Sequence, residues 1–121
     1  MIRSRTDLHG HYQTYPDGSG IVYRTIDRKI AETRQENVHF ADHTVGERRF
    51  WDAQVLGVKI VRAVLVPYST KVDADDLFVI NGTQYEVKQK QRYDKTAPVS
   101  WLLSLSEAKI RYRSDLDGGQ N

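Results

Sequence analysis

Cysteine is absent from this 121-residue chain. That excludes a disulfide framework, thiolate zinc ligands and a Cys nucleophile, so redox and acyl-thiol chemistry have no carrier, and a cytosolic setting fits. Long apolar runs are missing as well. Met1-Ile2-Arg3-Ser4-Arg5-Thr6-Asp7 is polar, and no later stretch approaches the roughly 20 apolar residues that a membrane span needs. The expectation is a soluble, unexported protein with no membrane partner. A charge excess of either sign is also lacking. The 18 Lys+Arg face 16 Asp+Glu for a formal +2, too balanced to announce a nucleic-acid protein, although clustered cations can still act locally. The length supports one hydrophobic core rather than two.

Recognisable catalytic motifs are missing too. There is no Gly-x-Ser-x-Gly elbow, phosphate-cradling Gly-rich loop or kinase-type set, and scattered Ser or Asp residues carry no catalytic information alone. No catalytic, cofactor-binding or metal-binding residue is therefore nominated, and no enzyme is expected. Two metal readings arise. His9 and His11 lie two apart, and His39 and His43 four apart with Asp42 beside them; on a strand and a helix respectively, each pair would share a face. A four-ligand site needs both pairs to converge, and the second pair sits in a segment with no helical pattern, so surface histidines are the better reading. Asp73-Ala74-Asp75-Asp76 is as acidic as a calcium loop but lacks its sharp-turn Gly and its bidentate Glu, so a turn into the next strand is expected.

What the chain does contain is β patterning. Asp76-Leu77-Phe78-Val79-Ile80-Asn81-Gly82-Thr83-Gln84-Tyr85-Glu86-Val87 sets two apolar-rich runs around an Asn-Gly pair, the signature of a hairpin with a type I′ turn, with Tyr85 and Val87 on one face. Residues 58–66 read as a central strand closed by Pro67. Residues 100–107 read as a final core strand with Trp101, Leu103 and Leu105 on one face. Earlier, Asp17-Gly18-Ser19-Gly20 reads as a turn separating a strand over 8–15 from an edge strand over 21–34. Residues 35–48 lack apolar periodicity and are expected to form a long projecting loop. Beyond Tyr112 the chain turns polar and Gly-rich, and residues 113–121 are expected to be a disordered tail. The predicted fold is mainly β: a small antiparallel β-barrel or sandwich in a single domain over 1–112.

One charge pattern stands out. Lys88, Lys90 and Arg92 recur at period two, which on a regular strand places them on one face, with Lys95 in the turn beyond and Tyr85 and Tyr93 on the opposite face. Such a basic stripe can neutralise phosphates, pair with acids on a neighbouring subunit, or form a solvated outer face. The separation from the tyrosines weakens a stacking-based nucleic-acid reading.

The order Gly46-Glu47-Arg48-Arg49-Phe50-Trp51-Asp52-Ala53, then a strand ending at Val66, then the hairpin 76–87, then Trp101-Leu102-Leu103-Ser104-Leu105 resembles the head-closure or head-tail joining proteins of tailed bacteriophages (adaptors and stoppers). The resemblance spans about residues 12–112 and rests on framework positions rather than catalytic ones. It implies a homo-oligomeric ring at the head-tail interface of the virion, assembled in the host cytoplasm. The implied partners are a portal or adaptor connector protein and a tail-completion protein, with transient contact to passing genomic DNA and no cofactor. It leaves open whether the free chain is a monomer or a ring. The His-rich segment 37–43 and the basic stripe depart from the family pattern. Rings are built from heterologous contacts, so His39, Phe40, Asp42 and His43 in the expected loop are the candidate assembly residues. Lys88, Lys90, Arg92 and Lys95 are candidates for facing DNA or a neighbouring subunit. The alternative function is a small nucleic-acid-binding β-barrel that uses this stripe.

Overall fold

In the computed structural model the described residues are 12–43 and 59–114. The expected strand residues 8–11, the aromatic-Ala segment 50–53 and the tail residues 115–121 lie outside them. Seven strands follow in chain order: β1 (Gly18–Ile26), β2 (Lys29–Asp42), β3 (Arg62–Pro67), β4 (Leu77–Ile80), β5 (Thr83–Tyr93), β6 (Ser100–Glu107) and β7 (Arg113–Ser114). They form one sheet in the order β1-β4-β5-β6-β3-β2-β7, and a further β1–β2 pairing joins β2 back to β1. Six strands thus make a closed, antiparallel ring of hydrogen bonds, and β7 is added in parallel to the start of β2. The expected mainly β fold is met, and no helix occurs among the described residues.

Two tight turns set this topology. Asn81 and Gly82, at φ 51° and 82°, join β4 to β5 as the Asn-Gly pair requires. A second hairpin joins β1 to β2 through Asp27 and Arg28, also at positive φ (51° and 64°). This corrects the expectation of one strand over 21–34 preceded by a turn at Asp17–Gly20. Gly18 and Gly20 belong to β1, where they serve close packing rather than chain reversal. A Cβ on Gly20 would stand 2.5 Å from the Val79 carbonyl oxygen, and one on Gly18 2.9 Å from the Phe40 ring.

The expected loop 35–48 is corrected as well: residues 35–42 continue β2. Its pairing with β1 slips register three times, and Asn37 takes a positive φ of 53°. Each slip is an irregularity that resets which face a residue occupies, so the strand carries no clean alternation for a sequence to display. Residues 44–48 lie outside the described residues. Gln13–Tyr15 are not in a strand, and Tyr12 makes only an isolated bridge to Ala97. The strand expected over 58–66 begins later, at Arg62. Arg113 and Ser114, expected in the tail, form β7.

The main core gathers Val22, Val38, Phe40, Val64, Phe78 and Leu103 with their neighbours inside the ring. Phe40 and Phe78 meet edge to face at 6.0 Å. Burial of each such side chain contributes roughly 1.5–3 kcal/mol. A second cluster, Ala41, Ala63, Leu65 and Leu102, lies on the opposite face of the same strands, with Tyr15 and Tyr93 packed against it. Both faces of β3 and β6 are therefore buried, in keeping with the central position expected for β3.

Candidate functional site

The stripe on β5 does not form one face. The β5–β6 register shifts by one residue between Val87 and Gln89, a bulge that breaks period two at Lys88. Lys88 stays beside Glu86, with Nζ 2.9 Å from Oε1. After the bulge, Lys90 pairs with Leu103 and Arg92 with Trp101, on the face that carries the main core. Lys90 sits 4.2 Å over the Trp101 ring and 3.1 Å from Asp73 Oδ1, while Arg92 meets Asp94 at 2.6 Å. Lys95 is exposed in the connection that follows. Tyr85 packs against the main core and Tyr93 against the second cluster, so the two tyrosines do not share a face either.

The candidate assembly residues also separate. Phe40 is 1% exposed in the main core, and so is closed to a partner, whereas His39 is exposed on β2. Asp42 accepts from Arg62 at 2.9 and 3.3 Å. His43 lies edge to face with Tyr93 at 5.2 Å, and its N–H donates to the Ala63 carbonyl. Arg62 lies 5.1 Å over Phe40 and 5.7 Å over Tyr85. Its bond to Asp42 outweighs its partial burial and raises its pKa, which keeps the guanidinium charged above the core. His9 and His11 lie outside the described residues.

The acidic run 73–76 forms the expected turn. The Asp76 N–H donates to the Asp73 carbonyl, and Asp76 Oδ2 accepts from the Asp73 N–H at 2.8 Å. Arg34 Nε lies 2.6 Å from the same oxygen as an ion pair, its N–H turned off the hydrogen-bond line. Burial still pushes the Asp76 carboxyl above its ordinary pKa, against the Asp73 N–H and the Arg34 charge.

A different basic region is assembled by the C-terminal segment. Gln84 on β5 is 8% exposed and clamps residue 112 from both sides: Nε2 donates to the Tyr112 carbonyl at 3.0 Å, and Oε1 accepts from the Tyr112 N–H at 2.7 Å. The Tyr112 hydroxyl donates to Glu86 Oε2 at 2.9 Å. Burial, then the Glu86 carboxylate, push the Tyr112 phenol up to about 12. Burial works against charge on Glu86, but the bonds from Lys88 and Tyr112 prevail and lower its pKa. The clamp fixes residues 110–112 as a ridge with a groove on each side. One groove, about 830 Å³, holds Lys29, Arg111 and Arg113 among its lining residues and, among the described residues, no carboxylate. The other, about 820 Å³, holds Arg28, Lys59, Lys88 and Lys109 against Glu86 and Glu107. Of the nominated residues only Lys88 lines this region, although Lys109, Arg111 and Arg113 alternate in the sequence just as Lys88, Lys90 and Arg92 do.

No family model, curated protein or solved structure matches the chain.

Proposed function

We propose that the protein is a structural connector of the tailed-phage head-closure type, forming a ring beneath the portal that closes the DNA-filled capsid and docks the tail. The residue order from Gly46 to Leu105 and the mainly β fold support this reading. The observation that carries it is the open side of β2. Of its 14 residues, only Lys29–Ile30 and Ala41–Asp42 pair with a strand other than β1 among the described residues. Residues 31–40 thus carry a second backbone edge with no described strand against it, bearing the exposed Glu32, Glu36 and His39. An open edge is a ready template for a strand or loop of another chain, and charges along it keep that pairing selective. A neighbouring copy meeting this edge through a different surface makes the heterologous contact from which rings close.

The partners on this reading are a portal or adaptor protein on one side and a tail-completion protein on the other, at the head-tail interface of the virion. Deleting the gene from the parent phage and counting particles by electron microscopy tests it. Separate tails beside heads that leak or lack tails are expected. Normally joined virions would overturn the reading.

A further inference from the structure

We propose that the two grooves flanking the ridge 110–112 bind the phosphate backbone of a nucleic acid. The inference does not depend on the connector reading, because it concerns the isolated chain.

Three observations carry it. First, the positive charge is concentrated. The chain as a whole is +2, yet the described residues that line the grooves include seven cations against two carboxylates, and one of those carboxylates, Glu86, is already engaged by Lys88. Among the described residues no close ion pair engages Lys29, Arg111 or Arg113, and Arg28 interacts with Glu86 only through its charge at longer range. Second, the arrangement is locally unfavourable to the fold. The β2–β7 pairing sets Lys29 directly opposite Arg113, and like charges facing each other across a strand pair destabilise it. Arg28 beside them is held at φ 64°, a backbone conformation that disfavours a bulky side chain. An anion over this end would relieve the repulsion. Third, the backbone that carries two of the cations is anchored, since Gln84 bonds both the N–H and the C=O of residue 112, between Arg111 and Arg113.

The distribution selects the ligand class. The cations are spread along both sides of a ridge instead of converging on one point, which suits a polymer of phosphates better than a single small anion. Phosphate contacts of this kind give binding without sequence preference and with strong salt dependence.

The test is fluorescence anisotropy of the full chain with labelled mixed-sequence duplex and single-stranded DNA across a salt series. If Arg28, Lys29, Arg111 and Arg113 each neutralise a phosphate, log affinity for duplex should fall against log salt with a slope of about −3 to −4. The combined Lys29→Gln, Arg111→Gln, Arg113→Gln variant is expected to lose at least about tenfold in affinity at low salt and to flatten the slope by about 2–3. Arg92→Gln with Lys95→Gln, which lie outside the grooves, should leave both unchanged. Arg28→Gly guards against misfolding as the explanation: glycine suits the positive φ of this turn, so the fold should be no weaker while affinity falls. No binding at low salt, or binding that ignores the ridge substitutions, would overturn the proposal. So would capture by vesicles of anionic lipid with none by DNA.

Discussion

Two segments of this protein share the pattern of a cation at every second residue, Lys88-Gln-Lys-Gln-Arg92 in β5 and Lys109-Ile-Arg-Tyr-Arg113 on the ridge, yet the fold treats them oppositely. In β5, each of the three cations meets a carboxylate at 2.6–3.1 Å, and the bulge turns Lys90 and Arg92 away from Lys88. On the ridge, no described ion pair engages Arg111 or Arg113, and Lys29 is brought opposite Arg113 rather than an acid. Periodicity locates cations, but only the fold decides whether counterions arrive with them. Glu86 and Asp94 each stand two residues from the cation they meet, but Asp73, the partner of Lys90, comes from the β3–β4 connection and is not visible in the local pattern. A basic stripe that is neutralised in place works as structure. One whose backbone is anchored while its cations stay without close counterions among the described residues is an electrostatic surface.

The sharpest way to break the comparison is to release the ridge. Gln84→Ala removes both bonds to residue 112 and leaves a backbone N–H and C=O without their partner. A loss of about 1–3 kcal/mol in chemical denaturation is expected, together with weaker DNA binding as Arg111 and Arg113 lose their fixed positions. Unchanged stability would mean that the clamp is not what orders this segment.

A smaller effect is expected from the paired segment. Lys90→Met keeps the apolar stem over Trp101 but removes the charge, so the ion pair and the cation–π contact are lost together. The expected cost is about 1 kcal/mol, with DNA affinity unchanged. A Lys90→Met variant that keeps full stability yet loses DNA affinity would reverse the roles assigned to the two segments.

The elements that were legible in the sequence are those whose signals are local. Asn81-Gly82 carries its own turn geometry, and 100–107 sets Trp101, Leu103 and Leu105 on one face, so the β4–β5 hairpin and β6 stand where the patterns put them. The β1–β2 hairpin was hidden because Asp27-Arg28 is an ordinary polar dipeptide. It adopts positive φ because the pairing of Ile26 with Lys29 holds it there. The far half of β2 has the sequence of a loop because its register slips erase the alternation that marks a strand, and the two glycines of β1 have the sequence of a turn because their packing role depends on Val79 and Phe40, distant in the chain. Of the nominated site residues, Phe40 shows the same limit: an aromatic in a polar stretch reads as a contact residue until the fold places it in the core. The ridge escaped notice because its order depends on Gln84, 28 residues away.

The subtlest distinction between the two segments is their response to pH. The Tyr112 phenol is raised above its ordinary 10.0 to about 12 in the folded chain. The group therefore contributes stability that is fully present below pH 10, the unfolded value, and is lost as pH rises through 12. Glu86 is shifted the other way: its contribution is present above the usual carboxylate value and is lost as pH falls through its lower folded one. The ridge should thus loosen at both extremes. Solvent screening at a partly exposed site keeps each effect small. Ultraviolet titration of the tyrosines is the measurement: one phenol should ionise near 12, and Tyr112→Phe should remove that step alone. If the step survives the substitution, the phenol that ionises near 12 is not that of Tyr112, and neither its burial nor its bond to Glu86 acts in solution as described. The clamp would then rest on Gln84 alone, and the ridge would be held no more firmly than the side chains of the paired segment.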